Sequence, residues 1–248
     1  MKLSVHNLNK SYHGRAVLNL PKAEFGRYSM EGLIGPNGAG KSTLMGLLTR
    51  RVSATTGNIN FEIDQANHNL MLLQAHQVAQ IGLVKTNQRI QGFESLSIRD
   101  SLRLAATSSE DETLKSMFAE RQHSDEIEAE IDVYLNKFSF QEPDGYAKSA
   151  GEKKLLDILR CLMIKPRLLL MDEPTAGLPE DLTQLVMKEI SDHVKSSNMS
   201  VVIVEHDLQL IWSFCEYVHF LSDGEMLFQG TPEDVKANRV VAEKYLGQ

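Results

Sequence analysis

Residues 35–43 read Gly35-Pro36-Asn37-Gly38-Ala39-Gly40-Lys41-Ser42-Thr43 and stand between the apolar run Met30 to Ile34 and the helical segment Leu44-Met45-Gly46-Leu47-Leu48. The spacing is GxxxxGK[ST], placed where a strand runs through a glycine-rich loop into a helix. A triphosphate carries several negative charges, and backbone N–H groups wrap it closely only where no side chain intervenes. Glycines at 35, 38 and 40 permit that approach and the dihedrals of an anion nest. The helix that follows aims the positive end of its dipole at the same point. Lys41 is expected to reach the β- and γ-phosphate oxygens, and Ser42 to ligate Mg²⁺.

The rest of the chain fits a largely parallel α/β sheet, because short apolar runs alternate with helical patterns. Met30 to Ile34, Ile81 to Val84, Leu168 to Met171, Val201 to Val204 and Tyr217 to Leu221 read as buried strands, and helices are expected at 42–50, 181–196 and 206–214. Residues 1–27 read as antiparallel strands with turns at His13-Gly14 and Phe25-Gly26. Ser222-Asp223-Gly224 predicts a hairpin, and Thr231-Pro232-Glu233-Asp234 a capped helix start.

Residues 89–164 have another character. Ile127, Ile131, Tyr134, Leu135 and Phe138 share one face of an amphipathic helix. Glu110 to Asp132 holds nine acids against Lys115 and Arg121, which reads as a solvated helix face. The block is expected to be a helical subdomain (89–164) inserted in a core formed by 1–88 and 165–248.

Charge and composition exclude several classes. The 26 Lys and Arg against 33 Asp and Glu leave a net charge of −7, which argues against nucleic acid as a partner. An apolar content of 42% argues against disorder. Cys161 and Cys215 are far apart with no metal-ligand spacing, so two buried thiols are expected. No apolar run is long enough to cross a membrane, and the first residues lack the apolar stretch of a signal peptide, so a soluble cytoplasmic chain is expected.

Arg167-Leu168-Leu169-Leu170-Met171-Asp172-Glu173 is an apolar strand ending in two acids. Ligands of open parallel sheets sit beyond the carboxyl ends of the strands, so this end is expected to face the same crevice as the phosphate loop. Asp172 is then suited to hold Mg²⁺ through its water shell, and Glu173 to polarise an attacking water.

Taken in order, the phosphate loop, Gln88, Ser149-Ala150-Gly151-Glu152, Asp172-Glu173-Pro174 and His206 resemble the ATP-binding subunits of ABC transporters over nearly the whole chain. The resemblance implies a P-loop NTPase core of the α/β class with a mostly parallel sheet, an N-terminal antiparallel β subdomain and an inserted α-helical subdomain. It implies ATP and Mg²⁺ as ligands, Gln88 as a sensor of γ-phosphate and Mg²⁺, and His206 as the histidine that contacts γ-phosphate. It implies that Tyr12 stacks on adenine. Ser149, Gly151 and Glu152 would meet the ATP of a second protomer, in a homodimer or a heterodimer with a similar subunit. Permease subunits in the membrane are the further partners implied, with the chain on the cytoplasmic face.

The sequence departs from that family at several points. Lys148 replaces a leucine and Ala150 a glycine of the usual LSGGQ segment, Pro179 stands where an aspartate is usual, and Asn87 precedes Gln88 in place of an aromatic. Should residue 150 need a positive φ, its Cβ costs about 1 kcal/mol. Glu173 to Leu178, Val202 to Asp207 and the ending Tyr245-Leu246-Gly247 are similar to ATPases of the branched-chain amino acid and urea importers. A soluble ABC ATPase of the iron–sulfur assembly type and a dimerising module of slow turnover stand as alternatives.

Overall fold

The computed structural model of the protein describes residues 1–86, 96–107 and 119–246. Gln88, Asn87, Glu110 to Glu112, Lys115 and Gly247 lie outside the described residues. The chain forms two compact units, one of Met1–Lys85, Pro166–Ala176 and Met187–Gln248, the other of Thr86–Lys165 and Gly177–Val186.

In the first unit, β1 (Lys2–Tyr12) and β2 (Arg15–Phe25) make a hairpin. Its two-residue turn, His13 (φ 50) and Gly14 (φ 79), has the left-handed pair of dihedrals that matches strand twist. β3 (Met30–Ile34) leads through the glycine loop to α1 (Lys41–Leu48). β4 (Thr56–Ile63) returns along the free side of β1, and β5 (Ala66–Asn69) folds back on β4. The antiparallel sheet is ordered β2-β1-β4-β5. In β4, Ile59, Phe61 and Ile63 are buried at every second position, the alternation of a half-covered sheet.

After α2 (Ala75–Gln80) comes β6 (Leu83–Lys85). The second unit holds α3 (Ile98–Ala106), α4 (Ala119–Lys137) and α5 (Ala150–Met163). Ile131, Tyr134, Leu135 and Phe138 are buried as the helical spacing requires, whereas Ile127 is half-buried. Arg99 and Arg103 of α3 pair with Glu128 of α4, fixing two helices through charged hydrogen bonds.

The chain re-enters the first unit at β7 (Leu168–Asp172). α6 (Glu180–Ser196), β8 (Ser200–Val204), α7 (Leu208–Phe214), β9 (Tyr217–Ser222), β10 (Glu225–Gly230) and α8 (Pro232–Ala237) follow. The second sheet has the order β10-β9-β3-β8-β7-β6, parallel except for β10. β3, β7 and β8 are buried at every position, which explains their unbroken apolar runs. Buried Glu31 is the exception in β3. It accepts the N–H groups of Arg27 and Tyr28 and lies 2.9 Å from Nε2 of buried His219, so its charge is absorbed locally.

Several boundaries move from their expected places. The strand expected at Ile81 starts at Leu83, because Ile81 caps α2 and Gly82 has φ 90. The helix expected to reach residue 50 stops at Leu48, since Arg50 has φ 59. The helix expected from 206 starts at Leu208, where the Asp207 side chain accepts the Gln209 N–H as an N-cap. β7 runs one residue further than expected and takes in Asp172. Thr231 caps α8 as expected with Pro232 in the first turn, and Asp234 returns a bond to complete a capping box.

Candidate active site

The glycine loop is built by two different requirements. Gly35 (φ 154) faces the protein itself: a Cβ there would lie 1.9 Å from the Leu221 carbonyl oxygen of β9. Gly38 (φ 80) has nothing within 4 Å of the place its Cβ would occupy, so its bare backbone faces open space. Asn37 and Gly38 are exposed, Pro36 is half-buried, and Ala39 is buried with its N–H donated to Pro36 O at 3.2 Å. α1 begins without any side-chain cap on its Gly40 end, which leaves the first-turn amides to an anion. Ser42 is exposed and Thr43 half-buried at that end.

Lys41 is buried, and its Nζ donates to Gly35 O at 2.7 Å and Pro36 O at 3.0 Å. Burial pulls its pKa below the usual lysine value, while the carboxylates of Glu173 and Asp172 work against that fall. β3, which leads into the glycine loop, and β7, which ends at Asp172, both pair in parallel with β8, so their carboxyl ends lie on the same side of the sheet.

At the end of β7, Asp172 is buried, and its Oδ2 accepts from Lys85 Nζ at 2.9 Å. Glu173 follows in a left-handed conformation (φ 52), rare for a side chain of this size. Its N–H donates to Val204 O at 2.8 Å, which extends the β7–β8 ladder one step past Asp172. Glu173 Oε1 lies 3.0 Å from His206 Nε2, and both side chains are partly exposed. Beneath them Glu205 is buried and accepts from the main-chain N–H and hydroxyl of Thr175. Its other oxygen accepts from the His206 N–H at 3.3 Å. Sequence reasoning brings in neither Lys85, Thr175 nor Glu205 as site residues. The available signal was a single charge closing an apolar strand, as with Lys85 after Leu83-Val84 and Glu205 after Val201 to Val204.

Tyr12 ends β1 as a residue 43% exposed, and Lys10 Nζ stands 4.4 Å from the ring centroid. Gln88 lies outside the described residues.

In the second unit, Ser149 caps α5. Its Oγ accepts from the Glu152 N–H at 3.0 Å, and Glu152 Oε2 accepts from the N–H groups of Ser149 and Lys148, both at 2.9 Å. The main-chain bond from Ser149 holds the Glu152 carboxyl below its usual pKa. Ala150 is the first residue of the helix and has no positive φ, so the strain considered for it does not arise. Pro179 accepts the Thr183 N–H at 2.9 Å at the start of α6.

The family model described as "ABC transporter" matches residues 21–176. The chain belongs to the ABC transporter family. It is an ATP-binding subunit of the transporter type and an ATPase. This ABC ATPase is 29% identical over 257 residues to the high-affinity branched-chain amino acid transport ATP-binding protein BraF of Pseudomonas aeruginosa, covering 99% of this chain and 98% of that one. It is also 29% identical over 246 residues to the lipopolysaccharide export system ATP-binding protein LptB of Escherichia coli, covering 99% and 97%. A solved nucleotide-free ATP-binding cassette from an ABC transporter superposes with a TM-score of 0.77 at 22% identity over the whole of both chains, which shows the shared fold. Among the described residues of this ABC ATPase, no helix is long and apolar enough to cross a membrane.

Proposed function

We propose that this ABC ATPase hydrolyses Mg²⁺-ATP to drive a membrane importer of branched-chain amino acids, urea or a similar small polar solute. The observation that carries the catalytic part is the 3.0 Å contact between Glu173 and His206 just past the ends of β7 and β8. In this reading residues 35–43 cradle the phosphates, and Lys41 exchanges its bonds to Gly35 O and Pro36 O for phosphate oxygens. Glu173 accepts a proton from the attacking water, and His206 orients that carboxylate and contacts the γ-phosphate.

The donor set fits magnesium. Ser42 offers a hydroxyl and Asp172 a carboxylate, hard oxygens of the kind that bind Mg²⁺ together with phosphates and waters. When bound, the ion would neutralise charge that develops on the phosphates. Gln88 belongs to the same set by family resemblance. Tyr12 stacks on adenine through its exposed ring. Ser149, Gly151 and Glu152 present the start of α5 to ATP held by a second copy or a similar subunit.

The domain reading follows, with 89–164 working as the helical subdomain of a core made from 1–88 and 165–248. Permease subunits would hold the ATPase at the cytoplasmic face of the membrane. The full-length match to BraF supports import; the equal identity to LptB gives lipopolysaccharide-type export as the second reading. Glu173→Gln tests the chemistry. Phosphate release should fall at least about 100-fold while ATP binding persists and an ATP-bound dimer accumulates on gel filtration. Unchanged phosphate release overturns the assignment. Co-purification with the permease from membranes, followed by uptake assays in vesicles, tests the direction of transport.

A further inference from the structure

Lys85 is a buried cation with no place in the site read above. It closes β6, the edge strand of the parallel sheet, and sits opposite Leu170 in the register with β7. Asp172 is two residues further along β7, so the lysine stem reaches diagonally to bring Nζ within 2.9 Å of Oδ2. The side chains are 8% and 0% exposed. A buried ammonium is tolerable only where a carboxylate meets it, and a carboxylate held this way has its orientation set by the cation.

Asp172 and Glu173 bring two negative charges to the strand ends and buried Glu205 a third; Lys85 adds a positive charge directly on Asp172. The same carboxylate is therefore shared by a fixed cation on Oδ2 and, in the proposed function, by a divalent ion.

We propose that Lys85 is a positioning residue for the metal site: it holds Asp172 in the orientation that receives Mg²⁺ with the nucleotide. The inference rests on the reading of Asp172 as a magnesium residue. Groups that orient a metal-binding carboxylate typically change metal affinity 10- to 100-fold when removed. A pair serving only to tie the ends of β6 and β7 together would change stability and leave metal affinity alone.

Manganese separates these outcomes, because the hydrated ion has a paramagnetic resonance signal that is lost on binding, and the part lost to the ATP analogue alone is measured without protein and subtracted. Mn²⁺ is titrated against the full chain with a non-hydrolysable ATP analogue, for wild type, Lys85→Met, Lys85→Arg and Asp172→Asn, alongside thermal melting. Lys85→Met should weaken Mn²⁺ binding about 10-fold or more, Lys85→Arg should recover most of the loss, and Asp172→Asn should weaken it at least as much as Lys85→Met. Lys85→Gln keeps a donor, removes the charge and replaces Lys85→Met if that protein does not fold. Analogue binding in EDTA should stay within about threefold of wild type in the Lys85 variants, on the scale of a change well under the metal effect. Unchanged Mn²⁺ affinity in Lys85→Met or Lys85→Gln beside a clear loss in Asp172→Asn overturns the inference and leaves the proposed function standing. Unchanged affinity in Asp172→Asn overturns the reading of Asp172 and this inference with it.

Discussion

Glu205 Oε1 accepts two hydrogen bonds from one residue, the Thr175 N–H at 2.8 Å and the Thr175 hydroxyl at 2.7 Å. The bonds join the end of β8 to the turn that leaves β7, and Glu173 lies in that turn with a left-handed backbone. A conformation of that kind costs roughly 1–3 kcal/mol and persists where its surroundings determine it. Thr175→Val keeps the shape and deletes the hydroxyl. The buried carboxylate then loses a donor, and stability should fall by about 1–3 kcal/mol in urea unfolding. ATP turnover should fall with it, because the carboxylate also accepts the His206 N–H and Glu173 lies two residues before Thr175 in the same turn.

The loop glycines should respond unequally. Gly35→Ala drives a Cβ into the Leu221 carbonyl of β9, so β3 and β9 must part. Thermal melting should show a large loss, with little folded protein recovered. Gly38→Ala meets no neighbour and bears only its positive φ, about 1–2 kcal/mol. That variant should fold and bind ATP more weakly, a contrast that paired melting and nucleotide-binding curves resolve.

Restoring a glycine at residue 150 should not speed the enzyme. Ala150 is already helical, so Ala150→Gly loses helix propensity, up to about 1 kcal/mol, and relieves no strain. A steady-state ATPase assay showing a clear gain in turnover would contradict this geometry.

Cys215 should be inert to thiol reagents in the native protein. Burial, with smaller contributions from Glu31 and Glu216, pushes its pKa up to about 12. At pH 8 roughly one thiol in ten thousand is then ionised. Iodoacetamide should label Cys215 only after unfolding, which mass spectrometry of native and denatured samples would show.

Where function depended on short spacing, it was readable. The loop at 35–43 and the acids at 172 and 173 sit at the ends of strands, and the run of apolar residues marks where a strand ends. Other features had no local marker. The β4–β5 turn uses Asp64 (φ 48) and Gln65 (φ 67) with no glycine, so nothing in the sequence announced a hairpin. Lys85 and Glu205 each close an apolar strand as an exposed end residue would. Only the lateral order of the strands brings Lys85 to Asp172, and only the turn after β7 brings Thr175 to Glu205. Ala150 taught the reverse lesson, since the backbone strain that a departure from the family's glycine suggested is absent once the helix start is located.

The seating of β3 also governs how the molecule is made. Its hydrogen-bonding neighbours on both sides, β8 and β9, come from beyond residue 199. During synthesis the strand that leads into the glycine loop therefore waits with both edges unpaired until β8 and β9 have left the ribosome. Nascent or prematurely terminated chains display an apolar, pairing-competent ribbon, the feature that chaperones capture and aggregates recruit. Competence to grip a nucleotide should thus wait for β8 and β9 rather than come with the loop alone.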